Sequence, residues 1–130
     1  MSQVWELAGD RALTRTLEHP EFVAAVVVWK DKLLTGCWDN KIRVYSQEGD
    51  VVLRSLTAPD CVCNLVVCGT TLVSAAWGGT VCVWSTDTWE KTATLQHDNG
   101  QVEPGALAVA DKRLFTGHYQ SGVLQGWRAA

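Results

Sequence analysis

TGCWDNKIRVY, residues 35–45, reads as a β-hairpin: two short strands flank Asp39-Asn40, residues that accept the positive φ of a tight turn. A worn copy, SAAWGGTVCVW at residues 74–84, carries Gly78-Gly79 at the same place. Set against itself, the chain yields a third copy. VVWKDKLLTGCW (27–38), VVCGTTLVSAAW (66–77) and AVADKRLFTGHY (108–119) match along their length, with Leu33, Leu72 and Leu114 in register at spacings of 39 and 42 residues. A period near 40 residues marks a repeat architecture, in which each unit is one supersecondary element buried against its neighbours.

Each copy opens with a continuous apolar segment (VAAVVV, CVCNLVV, ALAVA), the pattern of a strand covered on both faces. A polar turn, a short strand, the second turn (Asp39-Asn40, Gly78-Gly79 or Gln120-Ser121-Gly122) and another strand follow. After Tyr45 and Trp84 come GDVVLRSLTAP and TDTWEKTATLQH, each a turn and then a partly polar segment suited to an outer strand. No convincing helical period occurs. The expected unit is therefore one inner, two middle and one outer strand, all antiparallel.

Composition narrows the function classes. Hydrophobic residues make up 47% of the 130 and charged residues 19%, the balance of a folded domain, so disorder is not expected. Net charge is −3 with Lys and Arg scattered singly, so no basic stripe marks a nucleic-acid or anionic-lipid surface. The longest apolar run, residues 22–29, falls far short of the roughly 20 residues that span a bilayer, and the N-terminus lacks the basic end and apolar stretch of a signal peptide. A cytoplasmic protein, with a nuclear location also compatible, is expected. The five cysteines, Cys37, Cys61, Cys63, Cys68 and Cys82, lack paired zinc-site spacing and read as buried free thiols. No metal and no cofactor is expected.

With period, turn chemistry and the strand ends "IRVY" and "VCVW" in hand, the chain resembles the WD-repeat β-propeller family over nearly its entire length. The resemblance implies an all-β fold of about three four-stranded antiparallel blades in an incomplete ring. Residues 1–130 form a single domain with a half blade at 3–17 and repeats at about 18–56, 57–96 and 97–128. VWELAGD at 4–10 aligns with VYSQEGD at 44–50, which places the start of the chain inside a third strand; its end, at Trp127, closes another.

The resemblance also assigns roles. A His before the inner strand, a Ser or Thr in the second, an Asp in the hairpin turn and an aromatic closing the third form a polar brace, with the His N–H and a hydroxyl expected to donate to the half-buried carboxylate: His19, Thr35, Asp39 and, in place of Trp, Tyr45. The second repeat keeps Ser74 and Trp84 but has Pro59-Asp60 and Gly78 at the other two positions. The third has His97, Thr116 and Trp127, with Gln120 for the Asp and one extra hairpin residue. These two repeats are expected to rely on packing more than on polar networks.

Thr35, His19 and Asp39 also have the composition of a nucleophile with its base. Yet they sit where the family braces a turn, and the chain has neither a Gly-x-Ser-x-Gly elbow nor a phosphate-binding glycine loop. A non-enzymatic protein is expected. Trp38, Trp77 and Tyr119 each precede the turn position of their repeat, which by resemblance faces the rim where partners bind, and Phe22 stands near them. Large rigid aromatics at equivalent sites suit an interface. The expectation is a scaffold or adaptor for a protein or peptide partner, with a structural piece of a larger propeller as the alternative.

Ring closure adds a last expectation. Propellers close with four to eight blades, and three repeats leave inner edges open, so a homo-oligomer or completion by another propeller segment is expected. The simplest form is a six-repeat pair in which residues 12–17 lie beside the strand ending at Trp127 of a second copy, and Thr14 is the ladder position singled out for a proline test.

Overall fold

Thirteen strands and no helix are found among the residues that the computed structural model describes, which are 2–5, 13–46, 51–96, 104–110, 113–118 and 123–128. In chain order these are β1 (Ser2–Trp5), β2 (Leu13–Leu17), β3 (Val23–Trp29), β4 (Lys32–Cys37), β5 (Lys41–Tyr45), β6 (Val52–Thr57), β7 (Val62–Cys68), β8 (Thr71–Ala76), β9 (Thr80–Ser85), β10 (Lys91–Gln96), β11 (Pro104–Ala110), β12 (Arg113–His118) and β13 (Val123–Arg128). They pair antiparallel in four sheets: β1-β2, β3-β4-β5-β6, β7-β8-β9-β10 and β11-β12-β13. The fold is all-β and is compatible with partial propeller blades.

The repeat seen in the sequence is a repeat of register. Leu33, Leu72 and Leu114 stand opposite Tyr45, Trp84 and Trp127 respectively. Each inner strand carries a one-residue bulge at the same place, Ala24 between Val23 and Ala25, Cys63 between Val62 and Asn64, Gly105 between Pro104 and Ala106. A bulge adds a residue without a ladder partner and sharpens the local twist. Its threefold recurrence shows that the sheets share one backbone plan.

Outer strands bulge in register too. The interruptions fall at Leu53 opposite the β5 end and at Thr92 opposite the β9 end. In β1-β2 the same break falls at Thr14, opposite the segment Val4–Trp5. By this criterion β1-β2 has the form of a third and an outer strand. Thr14, expected to be a ladder position, is instead the bulged residue, where proline is tolerated; Thr16, paired with Gln3, is a true ladder position.

The second turns are three-residue loops rather than the two-residue form. Trp38-Asp39-Asn40 separates β4 from β5, and Trp77-Gly78-Gly79 separates β8 from β9. In the first loop Asn40 alone has positive φ, 69°, the form in which a left-handed residue ends the turn. In the second both glycines are positive, at 89° and 91°.

The inner strands β3 and β11 both pack against β7, which lies between them. One core fills the space between the second and third sheets: Leu34, Ile42, Val44 and Leu56 on one side meet Leu65, Leu72, Cys82 and Trp84 on the other. A second core joins Val73, Ala75 and Val81 to Leu114, with Val66, Leu107 and Val109 at its margin. Gly36 lets β4 approach β7 closely; a Cβ there would lie 2.6 Å from Val62 Cγ1.

Two expectations are corrected here. The apolar run of β3 is not covered on both faces, because only its Ala25, Val27 and Trp29 side meets a neighbour, while Ala24, Val26 and Val28 are exposed. The cysteines form no disulfide, but only Cys37 and Cys82 are buried, and Cys68 is exposed at the edge of a turn.

Candidate functional site

At the end of the sheets that carries the second turns, three aromatic rings form a row. Phe22 meets Trp38 edge to face with centroids 5.2 Å apart, and Trp38 meets Trp77 likewise at 5.9 Å. The backbone fixes this row. The Trp38 amide donates to the Phe22 carbonyl at 2.9 Å, and the Trp77 amide donates to the Cys61 carbonyl at 2.8 Å. Both tryptophans therefore leave their strands from the same register position.

The rings remain open to solvent: Phe22 is 68% exposed, Trp77 44% and Trp38 38%. Edge-to-face contacts of this kind add about 0.5–1.5 kcal/mol each beyond area burial, so the row is held in shape without being buried. The Cys61 thiol sits beneath it and donates to the Trp38 carbonyl at 3.1 Å. Burial, the Asp60 carboxylate and more distantly Glu21 push that thiol above its ordinary range. Tyr119, the expected third member at this position, lies outside the described residues.

Behind the row, His19 joins two buried hydroxyls. Its Nε2 lies 3.0 Å from Thr35 Oγ1 and 3.1 Å from the Tyr45 hydroxyl. One ring nitrogen offers one lone pair or one N–H, so only one of these contacts is a full-strength bond. Burial pushes the His19 pKa below its ordinary value, against the opposing pull of the Leu17 carbonyl. Nδ1 is buried without a partner of hydrogen-bonding geometry. Burial likewise pushes the Tyr45 hydroxyl upward.

Asp39 takes a different partner from the one expected. Its carboxylate receives both terminal nitrogens of Arg43, Nη1 to Oδ1 at 3.2 Å and Nη2 to Oδ2, and accepts from the Lys41 amide at 3.2 Å. Its bonds thus go to Arg43 and the turn, not to His19. The cause lies in the register. Arg43 stands opposite Thr35 on β5, four residues beyond Asp39, so its guanidinium reaches back over the turn in the bidentate form that matches a carboxylate. Arg43 holds the Asp39 carboxyl below its ordinary range.

In the next sheet the Trp84 indole donates directly to the Ser74 hydroxyl at 2.9 Å, both buried. Of the corresponding third-repeat residues, His97 and Gln120 fall outside the described residues. Among the described residues no cluster of three or more His, Cys, Asp or Glu side chains is placed to hold a metal.

The sequence reading passed over a second aromatic contact at the opposite end of the strands. Trp29 donates from Nε1 to the Gly69 carbonyl at 2.9 Å and meets Trp89 edge to face at 5.6 Å. Lys30 and Lys32 lie over the Trp29 ring at 4.7 and 5.5 Å. This group fastens the second sheet to the third. Trp89 has a left-handed backbone, φ 59°, and no motif pairs it with Trp29 60 residues earlier.

No protein-family model matches the chain, and no curated protein does. Solved structures match its fold. The computationally designed Ika8 protein superposes with a TM-score of 0.73 at 24% identity, over 85% of this chain and 34% of its own. The computationally designed Ika4 protein gives 0.60 at 20% identity, over 87% of this chain and 94% of its own. A chain of the Mitotic Checkpoint Complex gives 0.80 at 17% identity, over 95% of this chain and 42% of its own. The chain thus spans about a third of Ika8 and about two fifths of the checkpoint chain, and the likeness concerns the fold.

Proposed function

We propose that the protein is a non-catalytic scaffold of the WD-repeat type that binds a protein or peptide partner through the Phe22–Trp38–Trp77 row and through Tyr119. The observation that carries this reading is the row itself: three large apolar rings, mutually braced, left open at one end of a folded array. Rigid aromatics on an ordered backbone lose little entropy on binding and dominate interface energetics. The polar group around Thr35 supports the same reading over a catalytic one. The Thr35 hydroxyl is fully buried, beyond the reach of a substrate, and Asp39, neutralised by Arg43, does not orient His19 as a triad carboxylate would. A cytoplasmic or nuclear setting, where the free thiols stay reduced, fits this role.

The test is a selection from a displayed peptide library on the wild-type chain, with the recovered peptides titrated by calorimetry. Trp38→Ala with Trp77→Ala should weaken binding at least about a hundredfold, the loss of two hot-spot residues at roughly 1.4 kcal/mol or more each. Circular dichroism should be unchanged. Binding that survives the double change overturns the reading, as does collapse of the fold, which would make the rings core.

A further inference from the structure

The cores between sheets define a direction. Toward the following sheet, β3 presents Ala25, Val27 and Trp29; toward the preceding sheet, β7 presents Leu65 and Val67. The contact is made again one step on, where Val66 of β7 meets Leu107 and Val109 of β11. By the shared bulges, Val26, Leu65 and Leu107 are one position, as are Val28, Val67 and Val109, and Val27, Val66 and Ala108.

Each inner strand therefore has a forward face and a backward face, and two are left over. The backward face of β3 is open, with Val26 55% and Val28 69% exposed, whereas Leu65 at the position of Val26 is 7% exposed. On the forward face of β11, Ala108, the residue there whose burial is described, is exposed as well. The two open faces are the halves of a contact that the chain already makes twice. Val26 and Val28 stand on one and Ala108 on the other.

Along the β3-β4-β5 sheet the open side is uneven. Thr35 and Tyr45, on the same side as Val26 and Val28, are 0% and 6% exposed, so the sheet is covered over its middle strands and bare over its inner one. What the bare region lacks is an inner strand. That is the element the β11-β12-β13 sheet presents, with Ala108 exposed on it.

We infer that two copies of this chain associate head to tail, the open β11 face of each seating on the open β3 face of the other. The contact is heterologous, and a pair of such contacts closes on itself. β1 and β13 both hold the third-strand position, and β13, with six residues laddered to β12, keeps it. β1, with four residues and β2 as its one neighbour, yields, and β2 of the partner then lies beside β13. The inference stands on the fold and does not depend on the aromatic row.

The experiment uses light scattering on the purified chain at micromolar concentration. The expected mass is twice the 14.2 kDa of one chain. Val28→Asp and Ala108→Arg each place a charge at an exposed position, so circular dichroism should be unchanged while each variant alone falls to the single-chain mass. Mixing the two restores one unaltered contact and sets Asp against Arg in the other, so the doubled mass should return. A wild-type chain that runs at 14.2 kDa overturns the inference. An Ala108→Arg chain that stays double, as a symmetric β3-to-β3 contact would require, overturns it too, and so does a mixture that fails to reassociate.

Discussion

Gly36→Ala isolates the close approach of β4 to β7 on which the larger core depends. The added methyl would stand 2.6 Å from Val62 Cγ1, 3.3 Å from Val62 Cβ and 3.4 Å from Ala25 Cβ. A carbon–carbon contact is comfortable near 3.5–4.0 Å, so the first separation is short by about 1 Å. Val62 is fully buried and lies in β7, which is packed on both sides, so it cannot step aside without moving a strand. Overpacking a closed core typically costs about 1–3 kcal/mol, and the fixed surroundings put this case in the upper half of that range. Gly36 has no left-handed backbone to lose, so the cost is steric alone. Urea unfolding of Gly36→Ala, Val62→Ala and the double variant gives the coupling directly. Removal of the Val62 methyls relieves the clash, so the double variant should be more stable than the sum of the single effects by about 1–2 kcal/mol, within the range for residues in contact. Strict additivity, or a Gly36→Ala chain as stable as wild type, would refute the argument.

Two further outcomes follow from the polar groups. Asp39→Ala should lower stability by about 1–3 kcal/mol in urea unfolding, because the Arg43 guanidinium and the Lys41 amide lose their acceptor; Arg43→Met in the Asp39→Ala background should then cost less than Arg43→Met in wild type. Stability should also fall on mild acidification: with the folded-state His19 pKa below its unfolded value, the contribution of the neutral ring is complete above about pH 6.5 and is lost as pH drops through the folded value. His19→Gln should remove that part of the slope, and an unchanged pH profile of unfolding would count against the buried, neutral ring.

How far the fold was legible depended on the kind of signal. Leu33, Leu72 and Leu114 are visible as equals because register is a property of spacing, and spacing is what a sequence displays. The bulges at Ala24, Cys63 and Gly105 were not, since one extra residue in a strand leaves the apolar pattern readable and declares itself only in the ladder. For the same reason Thr14 looked like a ladder position. Trp38 and Trp77 could be placed because each immediately precedes a recognisable turn. Asp39 was given the wrong neighbour because the resemblance supplied one; the Asp39–Arg43 spacing, which brings a guanidinium back over a hairpin turn, was the local signal that outweighs it. Trp29 and Trp89 meet through tertiary contact between sheets, and nothing near either residue announces the other.

The first two repeats keep different polar groups. Thr35 and Tyr45 occupy the same register positions as Ser74 and Trp84. In the second repeat those positions look onto an apolar neighbour: Trp84 belongs to the core that Leu34 and Val44 close from the other side. An indole has one donor and no acceptor, so the single Ser74 hydroxyl satisfies Trp84. Tyr45 differs because its hydroxyl both donates and accepts, and a phenol ring is smaller than an indole, so room and hydrogen-bonding capacity remain for His19. In the first repeat Thr35 and Tyr45 thus share His19, whereas in the second Ser74 and Trp84 pair directly.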